Sequence, residues 1–188
     1  MSSEENILVM GIGNPLMRDD GIGPRVIEML RAGYSFPDNV ELVDAGTMSY
    51  MILDLLRDVD RLIIVDALKN TDLPAGTVLK LTPEEIADNQ VCHSMHDVRV
   101  VDILQAADLM GKAPETVAIG MQIETIEEWV LELSEPVEAA LPIACAAVLD
   151  ELELHGIVGT PCDDVDVHAQ IISALRTYEP MPDTRPEG

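Results

Sequence analysis

The sequence is poor in aromatic residues, with one Trp, one Phe and three Tyr among its 188 residues. Platforms for stacking bases or sugars therefore have little to be built from. Cations are scarce as well. Eleven Lys+Arg stand against 35 Asp+Glu, a formal net charge of −24, which opposes both phosphate-driven nucleic-acid binding and docking on an anionic membrane. No apolar run approaches the ~20 residues of a membrane helix. Met1–Asn6 lacks the positive and apolar regions of a secretory signal. Cys92, Cys145 and Cys162 are odd in number, far apart and without a CxxC pair. The expectation is a reduced, cytoplasmic protein with no disulfide framework. G-x-S-x-G, HExxH and P-loop motifs are missing too, so the common hydrolase and NTPase routes have no footing.

What is present is enough apolar material, 47% of the chain, for a core of ordinary size in one domain. Ile7-Leu8-Val9-Met10, Val40-Glu41-Leu42-Val43, Leu62-Ile63-Ile64-Val65, Thr77–Leu81 and Thr116–Met121 read as five strands. Their near-continuous apolar character fits strands buried on both faces. Between them lie helical patterns. Ile22, Val26, Ile27 and Leu30 form one stripe with Pro24 in its first turn, residues 48–57 and 98–109 carry shorter ones, and Pro136–Leu154 reads as a long Ala-rich helix. Alternation of this kind predicts an α/β fold, a three-layer sandwich with a twisted, mainly parallel five-stranded sheet flanked by helices. Residues 1–155 are expected to form that domain. Residues 156–188, acidic and rich in Pro, are expected to be a partly disordered tail.

In open parallel sheets, sites form beyond the carboxyl ends of the strands. Acids stand there after each of the first three strands: Asp19 and Asp20, then Asp44, then Asp66. Carboxylates gathered in one place repel one another unless a cation or proton intervenes, and a divalent ion is the simplest resolution. The bland alternative is that each acid caps the following helix. Asp66 suits that reading least, because it interrupts an apolar strand. Cys92-His93-Ser94-Met95-His96 adds two imidazoles just before a helix, and imidazole ligates zinc or nickel well. Cys92 itself has no activating neighbour and reads as a small apolar residue. Gly11-Ile12-Gly13 after a strand fits a dinucleotide fingerprint poorly, since Leu16 replaces the third glycine and acids would face the pyrophosphate. Of the ten methionines, Met10 and Met121 read as core, whereas Met17, Met48 and Met95 stay open.

Gly11-Ile12-Gly13-Asn14-Pro15-Leu16-Met17-Arg18-Asp19-Asp20-Gly21-Ile22-Gly23 resembles the N-terminal signature of the [NiFe]-hydrogenase maturation proteases. Asp44-Ala45-Gly46-Thr47, Leu62–Ala67, and Ser94-Met95-His96 with Asp102 and Leu104 follow in the family's order, so that the resemblance spans residues 6–154. It implies an endopeptidase that removes the C-terminal extension of the hydrogenase large-subunit precursor after nickel insertion. The metal ligands implied are Asp20, Asp66 and His96, with Asp44 a further acid near the site. The implied cofactor is a divalent metal, nickel presented by the substrate, with zinc or cadmium able to replace it in a crystal. The strand order implied is the flavodoxin-like 2-1-3-4-5, which makes the strands before Asp20 and Asp66 neighbours. Two departures stand out: Ala45 where the family carries glycine, and His93 as a second imidazole. Neither nucleic acid nor membrane is expected as a partner. The alternative is a non-enzymatic nickel-binding chaperone of the same large subunit.

Overall fold

The computed structural model describes residues 5–47, 52–69, 71–82, 85, 100–111, 113–162 and 165–178. The apolar run at the start becomes β1 (Ile7–Ile12), all six residues of it buried. A 3-10 turn over Arg18–Gly21 leads into α1 (Ile22–Gly33). There the expected stripe of Ile22, Val26, Ile27 and Leu30 is buried completely. Next come β2 (Tyr34–Ser35), β3 (Val40–Gly46), α2 (Ile52–Leu55), β4 (Arg61–Leu68) and β5 (Val78–Leu81). The chain continues through α3 (Val100–Leu109), β6 (Glu115–Gln122), α4 (Glu135–Leu154), β7 (Thr160–Pro161) and α5 (Val165–Thr177).

Five strands form one sheet in the order β3-β1-β4-β6-β5. The pairings β1/β3, β1/β4 and β4/β6 are parallel, whereas β5 runs antiparallel to β6. Alternation along the strands serves both faces. Ile7, Val9, Ile63, Val65, Ile119 and Met121 face the layer that contains α1, α4 and α5. Leu8, Met10, Leu62, Ile64 and Ala118 face Ile52, Leu56 and Ala107 on the other side. The three-layer α/β sandwich with a mainly parallel sheet is therefore what forms.

Two expectations are corrected. The order is not 2-1-3-4-5: the last two strands exchange places, and the short β5 takes the edge in reverse. An edge strand needs only one ladder, so four residues suffice for it there. β1 and β4 remain neighbours, which is the part of the order on which the site depends. The region after residue 155 is not a loose tail up to residue 178. β7 pairs with β2, and α5 buries Ile171 and Ala174 with Val167, Leu175 and Tyr178 packed around them. Those residues recur at 167, 171, 174–175 and 178, a helical stripe strong enough to dock although the segment is poor in apolar residues overall.

Candidate functional site at the carboxyl edge of the sheet

Pairing between β1 and β4 ends at Gly11↔Val65. Asp66 is thus the first residue of β4 released from β1, although β4 itself runs two residues further, to Leu68. Its side chain is only 3% exposed, and its Oδ1 accepts the N–H of Ala67 at 2.7 Å. The N-terminus of α1 sits on this edge. A Cβ at Gly23 would lie 2.2 Å from the carbonyl oxygen of Ile12 and 2.6 Å from that of Val65. Only glycine lets the helix approach both strand ends so closely.

The preceding loop brings Asp20 to the same edge. Gly13 adopts φ +136°, and a Cβ there would fall 1.9 Å from the carbonyl oxygen of Asp20. The Asp20 carboxylate, 4% exposed, turns back and accepts the N–H of Asn14 through Oδ2 at 2.8 Å. The residue at the N-cap of α1 is Gly21, with no side-chain cap, so neither Asp19 nor Asp20 serves as the cap of α1. Asp44 lies at the same end of β3, paired in register with Gly11. It is exposed, and its Oδ1 accepts the N–H of Gly46 at 2.9 Å, the local turn that a short carboxylate favours.

Sequence reasoning grouped Asp19 with Asp20, and the structure separates them. Asp19 is fully buried. It accepts the N–H of Ser134 at 2.6 Å and the Ser134 hydroxyl at 2.8 Å, together with the N–H groups of Glu124 and Thr125 at 3.1 Å each. Ser134 is the N-cap residue of α4, so its hydroxyl is committed to Asp19 and the negative charge sits by the positive end of a 20-residue helix. Asp19 is a clamp that joins the loop after β1 to the loop after β6. No pattern in the sequence announces it, because its partners lie 105 to 115 residues away.

A backbone bridge tightens the same junction. Met17 pairs with Val130, the Arg18 N–H donates to the Val130 carbonyl at 2.8 Å, and the Trp129 N–H donates to the Leu16 carbonyl at 2.7 Å. Met17 is half-buried in this bridge, and Met10 and Met121 lie in the core as expected. Met48, Met95, Cys92, His93 and His96 lie outside the described residues. Cys145 is buried, and loss of solvation pushes its thiol up to about 12, so it is no nucleophile at neutral pH.

A groove of about 600 Å³ opens at the amino edge, lined by Asn6, Asp38, Asp54 and Arg57 among others. Chemistry favours the carboxyl edge, where two nearly buried carboxylates stand, Asp66 in β4 and Asp20 in the 3-10 turn that follows β1. Carboxylate oxygens are suitable ligands for a divalent ion, and each of these two already has one oxygen committed to a backbone N–H. The donor types suit a divalent ion, and among the described residues no group of three or more His, Cys, Asp or Glu side chains is gathered to hold one.

Comparison with known proteins shows which proteins the chain is similar to. The family model described as hydrogenase maturation protease matches residues 24–151. The hydrogenase 2 maturation protease of Escherichia coli is 34% identical over 159 residues, covering 82% of this chain and 95% of that protein. The hydrogenase expression/formation protein HupM of Azotobacter chroococcum is 35% identical over 181 residues, covering 94% of this chain and 86% of its own. Among solved structures, the hydrogenase maturating endopeptidase HybD from E. coli superposes with a TM-score of 0.76 at 32% identity, over 85% of this chain and 99% of that one.

Proposed function

The chain belongs to the hydrogenase maturation protease family and is an endopeptidase, and from that premise we propose that it removes the C-terminal extension of a [NiFe]-hydrogenase large-subunit precursor once nickel has been inserted. The observation that carries the reading is the pair of buried carboxylates, Asp66 in β4 and Asp20 in the turn that follows the neighbouring strand β1. These two, with His96, are the proposed ligands, and Asp44 is an acid beside them. Two carboxylates and one imidazole make an incomplete set. Such a set binds an ion weakly alone but can complete a shell begun by another protein's thiolates. Nickel then arrives as part of the substrate, and recognition of the loaded precursor is placed at the interface. A metal held there would polarise the scissile carbonyl or acidify a water.

The chain's own residues supply the frame. Asn14 and Ala67 donate N–H groups that fix one oxygen of Asp20 and one of Asp66. The close fit of Gly23 against Ile12 and Val65 holds the edge rigid. Among the described residues no helix is long and apolar enough to cross a membrane, and the reaction is proposed to take place in the cytoplasm.

The test mixes the protein with its large-subunit precursor, prepared with and without nickel, and follows the intact mass of the precursor. Loss of the C-terminal peptide from the nickel-loaded form alone is expected. Equal cleavage of both forms would refute metal licensing. Cleavage of neither would favour a nickel-binding chaperone.

A further inference from the structure

The single Trp of this aromatic-poor chain is at position 129, and it stands 80% exposed. Burying it would have yielded more than burying almost any other side chain, so its exposure needs a cause. The backbone supplies one. Arg18, which follows Met17, and Trp129, which precedes Val130, flank the parallel Met17–Val130 bridge; they have φ of 54° and 64°, and they are the non-glycine residues with positive φ among the described ones. Backbone held in that region persists only where its surroundings over-determine it, and such strain gathers at functional sites. Here the surroundings are the Asp19 clamp on Glu124, Thr125 and Ser134 and the Arg18–Glu127 ion pair at 2.9 Å. The loop from 124 to 134 is therefore pinned at both ends with Trp129 near its middle.

Leu16 and Leu131, 43% and 51% exposed, flank Trp129 along the bridge. Around them Glu124, Glu127, Glu128, Glu132 and Glu135 are exposed, and no Lys or Arg occurs between Ile123 and Pro136. The patch is joined through the chain to the loop that carries Asp20: Leu16 lies four residues before it, and its neighbour Asp19 holds the Trp129 loop. An apolar centre with a rim of one sign is the anatomy of a protein-docking surface.

We infer that the Trp129 loop docks the precursor: an apolar or aromatic side chain of the precursor packs on Trp129, Leu16 and Leu131 while neighbouring Lys or Arg residues meet the acidic rim. A second copy of this chain is a poor occupant, because it would bring the same acidic rim and a net charge of −24 against itself. The inference rests on the proposed substrate, and the test keeps the two apart.

The protein is labelled with 5-fluorotryptophan, which places one fluorine reporter at Trp129, and unlabelled nickel-loaded precursor is added. The expected result is a shifted, broadened fluorine resonance. Trp129→Ala is expected to raise KM for the precursor about tenfold, with a much smaller change in kcat. Glu128→Lys/Glu132→Lys is expected to weaken binding and flatten its dependence on salt. Leu131→Ser, a milder change in the same patch, is expected to raise KM about threefold. Precursor that is cut normally while the resonance stays still and the KM of Trp129→Ala is unchanged would overturn the docking surface and leave the protease intact. Precursor that is neither cut nor bound would overturn both. A resonance that shifts with protein concentration before any precursor is added would assign the patch to self-association and overturn the inference.

Discussion

At the amino end of the sheet Arg61 lies between Glu5 at 2.6 Å and Glu115 at 2.7 Å, and beside it Lys80 and His155 both meet the buried Glu151 of α4. At the carboxyl end Asp19, Asp20 and Asp66 are held by N–H groups from Asn14, Ala67, Glu124, Thr125 and Ser134. The difference is one of purpose. A carboxylate neutralised by a lysine is finished as a structural element, and little ligand capacity is left to it. A carboxylate that accepts backbone N–H groups has its charged form favoured by their dipoles and can also serve another ion. Asp19 shows that the second pattern is not sufficient by itself, since its two oxygens accept four hydrogen bonds and it joins two loops instead.

The largest loss is expected at Asp19. Asp19→Ala would leave three N–H groups and the Ser134 hydroxyl without their acceptor, and a loss of about 4 kcal/mol in unfolding free energy is expected from urea denaturation. Lys80→Met tests the opposite end. It leaves the Glu151 carboxylate buried beside an apolar chain, and about 3 kcal/mol should be lost, most of it restored by Lys80→Met/Glu151→Leu. The smallest effect belongs to Arg61. Its guanidinium, chiefly by hydrogen bonding and then by charge, holds the Glu5 carboxyl below its ordinary range. A depressed carboxyl contributes stability that is present above its unfolded value and is lost as pH falls through the folded one. Melting curves of wild type and Arg61→Met should therefore differ at pH 6 and converge as the pH drops below about 4.

Much of this architecture could be read from residue pattern. β1 and β4 are apolar on both faces because helices cover both, and α1 carries a complete stripe from Ile22 to Leu30. The exchange of β5 and β6 was not legible, because Val78–Leu81 reads the same at an edge as beside β4. Helix α5 was hidden by relying on composition: the segment is acidic and polar, yet Val167, Ile171, Ala174 and Tyr178 keep helical spacing. At the site, the strand-end positions of Asp20, Asp44 and Asp66 followed from where the apolar runs stop. The distinct role of Asp19 did not, because adjacent aspartates look alike until the loop after β6 folds over one of them.

Asp66 is proposed to sit in its strand for chemistry and not for stability. Loss of cleavage in Asp66→Asn would suit either view, so the decisive measurement is the melting temperature of that variant. The asparagine retains an oxygen for the Ala67 N–H and removes a buried negative charge from an edge that also holds Asp20. A Tm within about 2 °C of wild type, or above it, is expected in protein that no longer processes precursor. A fall of more than about 8 °C, the equivalent of roughly 2–4 kcal/mol in a chain of this size, would make Asp66 a structural hub instead.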